Sequence, residues 1–136
     1  MAPSGSSRPA FVVSRSLRFA ARLALVAEVG CIAWLAVGDD TRQAGIQSLF
    51  MVGDKSAHLL AFLVTGVTAT VASRSPAVSA LVLGAVAGGV EILQAFVPGR
   101  TASLLDFAAS LAGVAAGVAL GAVLWPRLLC GRRGLS

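Results

Sequence analysis

Four apolar runs of about twenty residues, each closed by proline, glycine or charge, leave this chain very few folds to choose from. They cover residues 19–38, 54–73, 77–97 and 104–125. A helix rises 1.5 Å per residue, so about twenty apolar residues cross the roughly 30 Å hydrocarbon core of a bilayer. The punctuation agrees: Gly53-Asp54 supplies a helix start, Ser73-Arg74-Ser75-Pro76 a tight turn, and Pro98-Gly99 and Pro126 are expected stops. On this division all five prolines lie outside the helices. The expected fold is an all-α membrane protein, a bundle of four transmembrane helices.

Composition removes the soluble alternative. The 136 residues are 57% hydrophobic and 12% charged, with a mean hydropathy of +0.85. A soluble domain of this size has no interior large enough for that much apolar surface. The formal charge of +5 does not indicate nucleic acid, because the basic residues sit in the tails and loops and form no stripe interleaved with aromatics. Cys31 lies in an apolar run and Cys130 in a basic tail, so neither a disulfide nor a sulfur-ligated metal is expected.

Residues 1–18 read as a disordered basic leader, 19–126 as the transmembrane domain and 127–136 as a basic cytoplasmic tail. Ala36-Val37-Gly38 would suit signal-peptide cleavage, but the long leader and Glu28 within the first run favour a retained helix. Lys and Arg set the orientation. A cytoplasmic N-terminus puts Arg8, Arg15, Arg18, Arg22, Arg74, Arg127, Arg132 and Arg133 inside and only Arg42, Lys55 and Arg100 outside. Both termini are therefore expected in the cytoplasm.

That path gathers the unusual polar residues at the outer end of the bundle. Asp54, Lys55 and His58 begin the second helix, Glu91 and Gln94 close the third, and Arg100, Asp106 and Ser110 surround the start of the fourth. Glu91 should lie about 10 Å below Pro98, and His58 about 6 Å below Asp54, depths at which an ionisable side chain needs a partner. Asp54 and His58 are four residues apart and Glu91 and Gln94 three apart, so each pair shares a helix face. Gly84 and Gly88 extend the Glu91 face. Asp106, Ser110, Gly113, Gly117 and Gly121 form a stripe of small residues below a carboxylate, which should point into the bundle and let backbones approach closely.

Structural readings compete for each residue. Ser103-x-x-Asp106 has the capping-box pattern and Asp54 the position of an N-cap. Lys55 and Arg100 are placed to snorkel toward head groups, and one histidine makes no metal site alone. Glu91 is too deep for a cap and needs a partner. Glu28, midway along the first helix, has no evident basic partner.

The string "DKSAHLLAFLVTG", followed by "EILQAFVPGRTASLLDFAASLAG", resembles the VanZ-like family of small bacterial integral membrane proteins. The matching positions are Asp54, Lys55, His58, Phe62, Glu91, Gln94, Arg100, Asp106 and Gly113, within residues 53–121, about half the chain. Ser110 departs from the pattern, standing where the family usually has Asn. Its hydroxyl has less reach than an amide, so a hydrogen bond across helices is expected to be lost or replaced by water. The resemblance implies a multi-pass protein of the bacterial cytoplasmic membrane whose best-known relatives are associated with resistance to teicoplanin-type glycopeptides.

Three functions fit. The leading one is a non-enzymatic protein at the extracytoplasmic leaflet, whose pocket of Asp54, Lys55, His58, Glu91, Gln94, Arg100, Asp106 and Ser110 binds membrane lipid, a lipid-linked cell-wall precursor or a glycopeptide; Lys55 and Arg100 would meet phosphate or carboxylate. An alternative is a membrane-embedded hydrolase or transferase, with His58 as general base and Glu91 as its partner or general acid. The third is a transporter or channel, which four spans could form only as an oligomer. No cofactor is expected. A metal site would recruit Asp54, His58, Glu91 and Asp106, but one nitrogen and no sulfur argue against zinc, and none is expected.

Overall fold

The computed structural model describes the backbone at residues 9–38, 45 and 53–130, and the side chains at 15–38, 45 and 53–125. Its described residues form four helices: α1 (Pro9–Ala36), α2 (Asp54–Ser73), α3 (Pro76–Ala95) and α4 (Leu104–Cys130). Each contains a segment long and apolar enough to cross a membrane. Residues 1–8 of the expected leader and 131–136 of the expected tail lie outside the described residues.

α2 begins and ends where its flanking residues demand. Gly53 is extended at the N-cap and offers no side-chain cap, so Asp54 is the first helical residue and not the cap. At the other end Arg74 adopts the left-handed conformation, φ 62°, and its N–H returns to the Thr70 carbonyl. Ser75 then caps α3, its hydroxyl accepting from Val78 N at 3.3 Å, and Pro76 follows at a position where the missing N–H costs nothing. A hydroxyl contact between Ser73 and Ser79, 2.9 Å, closes this turn. Nearby, the Arg74 guanidinium lies 5.6 Å from the centre of the Trp125 ring, an aromatic–cation pairing suited to a membrane–water boundary.

Five boundaries differ from the sequence expectation, among them the start of α3 at Pro76 and not at 77. α1 starts at Pro9 and not at residue 19; proline is preorganised for the first helical turn, and Arg15, Arg18 and Arg22 recur at helical spacing. It also ends at Ala36, two residues early. α3 stops at Ala95 and not at 97, because Val97 precedes Pro98 and is steered out of helical geometry; Phe96 N and Val97 N instead make tight bonds to Leu93 O and Gln94 O. α4 runs through Pro126 to Cys130. Proline removes one ladder hydrogen bond, which a helix embedded among others tolerates as a kink.

The bundle is built around α2 and α4, the most extensive helix pair. Within a bilayer, lipid tails are as apolar as leucine, so helix association relies on close packing. Here the glycines provide it. A Cβ on Gly113 would overlap the Leu59 carbonyl oxygen, and one on Gly117 would overlap that of Leu63; one on Gly66 would stand 3.0 Å from Gly117 Cα. The stripe of small residues therefore faces α2, as its spacing predicts. Phe62, Leu83, Ala87, Val90, Val114 and Val118 fill the core where α3 joins this pair. A Cβ on Gly84 or on Gly88 would stand 3.8 Å from the Leu111 or the Phe107 side chain of α4, an ordinary contact. α1 is the least buried of the four spans.

Candidate functional site

Antiparallel geometry brings the polar residues to one end. His58 lies fifteen residues before the end of α2 and Glu91 fifteen residues after the start of α3, so both stand about 22 Å from the turn that joins these helices. α4 enters the bundle at this same end. The residues then divide into three groups, each anchored differently.

The first group lies between α2 and α4. His58 Nδ1 is 3.1 Å from Ser110 Oγ, and Ser110 is buried, 1% exposed. The expectation that serine is too short to bond across helices is thus corrected: the glycines below it bring α2 and α4 close enough for a hydroxyl to reach. Lys55 Nζ stands 3.8 Å from Asp106 Oδ1, an ion pair beyond hydrogen-bonding range. Asp54, His58 and Asp106 each direct one potential ligand atom into a cluster whose members lie within 4.8 Å of one another. Lys55 is exposed, Asp54 and His58 are half-buried and Asp106 is buried.

The second group joins α3 to the start of α4. In a capping box, the side chain at the cap accepts from the backbone three residues on, and the carboxylate there returns the bond. Ser103 does its half: its hydroxyl accepts from Asp106 N at 3.3 Å. The return bond comes from another helix, because Ser103 N donates to Glu91 Oε2 at 2.8 Å. Glu91 replaces Asp106 in the box. Asp106 Oδ1 is left buried without a hydrogen bond, and so is Glu91 Oε1; Glu91 lines a cavity of about 240 Å³ with Gly88, Ser103, Leu104 and Phe107. Gln94, one turn further along α3, is buried.

The third group is Arg100. Its guanidinium donates to the carbonyls of Leu35, 3.2 Å, and Gly38, 3.1 and 3.2 Å. Leu35 lies in the last turn of α1, its carbonyl also accepting from Gly38 N, and Gly38 lies two residues beyond, an end at which a cation is favoured by the helix dipole. Arg100 ties α1 to the loop before α4. It is half-buried.

The structure therefore brings Asp54, Lys55, His58, Asp106 and Ser110 into one cluster, joins Glu91 to the rim of that cluster through Ser103, and gives Arg100 hydrogen bonds to α1. Glu28, which had no partner in the sequence reading, accepts a 3.0 Å hydrogen bond from Thr68 Oγ1 on α2. A half-buried threonine one helix away has no sequence signature beyond an ordinary apolar run. Searches of family models, curated proteins and solved structures return no match to the chain.

Proposed function

We propose that this chain is a non-enzymatic integral membrane protein that binds a polar headgroup at the extracytoplasmic leaflet, the ligand being a membrane lipid, a lipid-linked cell-wall precursor or a glycopeptide. The observation that carries this reading is the convergence of Asp54, Lys55, His58, Asp106 and Ser110 at one end of an otherwise apolar bundle. Ionisable groups at that depth are costly and belong to function by default. Lys55 is half in solvent, placed to meet a phosphate or carboxylate, and the two aspartates flank it as acceptors for an ammonium or hydroxyl. Eight of the eleven Lys and Arg residues fall on the side opposite this cluster, which supports an outward-facing site by the positive-inside rule. The likeness of the motif to the VanZ-like family supports a role at the cell envelope, teicoplanin-type resistance included.

The His58–Ser110 contact also suggests a membrane-embedded hydrolase or transferase. Ser110 is too buried to reach a substrate as a nucleophile, so His58 would act there on water or on a substrate hydroxyl. Substitution separates the two readings. Lys55→Ala and Asp106→Asn should abolish survival against teicoplanin, or the change in envelope precursors between cells with and without the gene, at normal membrane abundance. His58→Gln keeps a hydrogen-bonding group but carries no proton. Binding predicts partial retention with His58→Gln; complete loss at normal abundance favours proton transfer. Unchanged precursor profiles and unchanged survival on deleting the gene would overturn both readings.

A further inference from the structure

The geometry points to a divalent-cation site formed by Asp54, His58 and Asp106, of the Mn²⁺ or Mg²⁺ class, whose remaining positions take the phosphate oxygens of a headgroup. It rests on the reading of this end of the bundle as a ligand site.

Three observations carry it. One ligand atom from each residue lies within 4.8 Å of the other two. Octahedral coordination at about 2.1 Å separates neighbouring ligands by about 3 Å and opposite ones by about 4.2 Å, so closing on an ion takes only small side-chain rotations. Asp54 and His58 share one face of α2, and the backbone contact between α2 and α4 fixes Asp106 opposite them.

Next, Asp106 is 7% exposed and its Oδ1 is buried without a hydrogen bond. This orphan follows from the capping arrangement, in which Glu91 takes the bond to Ser103 N that Asp106 would otherwise accept. Among the described residues its ion-pair partner is the Lys55 ammonium at 3.8 Å, on a side chain 59% exposed that can withdraw into water. A buried carboxylate oxygen left unpaired costs free energy. An ion placed there relieves it.

Finally, the Ser110 hydroxyl holds the His58 ring at Nδ1, as partners beyond the ligands hold metal-bound imidazoles. Two carboxylates and one imidazole, with room for water or phosphate, suit a hard cation; the absence of sulfur from this donor set disfavours soft ones. Both aspartates sit in the first turns of their helices, and a helix N-terminus also favours a phosphate above them.

The test is a Mn²⁺ titration, followed by electron paramagnetic resonance, of the full chain in phosphatidylcholine nanodiscs. One saturable site per chain is expected. Asp54→Asn, His58→Gln and Asp106→Asn should each weaken it at least about tenfold, with helix content by circular dichroism unchanged. Lys55→Ala should tighten it severalfold by removing the competing ammonium, an effect that a mere Lys–Asp ion pair would not produce. Glu28→Gln, in the middle of the bundle, should bind like the parent. Lack of a saturable site in both the parent and Lys55→Ala, or parent-like binding by folded Asp106→Asn, overturns the cation. Nanodiscs containing phosphatidic acid distinguish this from the headgroup reading: selective retention of that lipid in EDTA, with no Mn²⁺ site, overturns the cation and leaves headgroup binding in place. A Mn²⁺ site with no lipid retained, with or without the ion, supports the cation and overturns the phosphate ligand.

Discussion

Glu91 and Ser110 show how far a single side chain can be read from its neighbours in sequence. Glu91 is visible as a deep carboxylate needing a partner, but that partner is the backbone N–H of Ser103, and a backbone donor leaves no mark on sequence. Replacing Glu91 with Ala should lower stability by about 1–2 kcal/mol through loss of the cap and exposure of an unpaired N–H, whereas Glu91→Gln keeps an acceptor oxygen and should lose less than half of that. Thermal unfolding in detergent compares the two. Ser110 was expected to lose its bond across the helices, because the glycine seam that shortens the distance is a property of two helices together. Ser110→Ala should destabilise the protein by about 1 kcal/mol, the usual worth of one such hydrogen bond, and should also free the His58 ring, which nuclear magnetic resonance of the imidazole would register as broadening.

Helices were more legible than their ends. α2 matches its expected span residue for residue because glycine precedes it and a serine–proline turn follows it. The start of α1 was misjudged because residues 1–18 were read as a disordered leader, and the end of α4 because Pro126 was read as a stop: Pro9 instead opens a helix and Pro126 sits within one. The small-residue stripe on α4 was legible from spacing alone, and its energetic weight is testable. Gly117→Ala would drive a methyl group into the Leu63 carbonyl, where neither backbone can yield, and should cost about 3 kcal/mol or more. Gly89→Ala, with open space around it, should be neutral or slightly stabilising. Unfolding of both variants in the same micelles gives the contrast. Arg100 supplies the other lesson about elements. Its partners are carbonyls at the end of α1, so Arg100→Ala should raise hydrogen exchange at the amides of residues 33–38 while leaving those of α2 and α4 at parent rates.

For the molecule as a whole, composition identified the solvent and the periodic breaks identified the number of spans, because a bilayer permits so few alternatives. Orientation rests on the charge count. Phosphatase fused after Ser136 should be inactive, and the same enzyme inserted after Gly99 should be active; the reverse pattern would put the cluster on the cytoplasmic side. The contact between α2 and α4 has a consequence for how anything reaches His58. Two backbones touching along Gly66, Gly113 and Gly117 close the seam between α2 and α4 to a molecule arriving sideways from the lipid. On the headgroup reading proposed above, a ligand would avoid that seam and enter from the water-facing tip, with any attached hydrocarbon chain lying along the outside of the bundle.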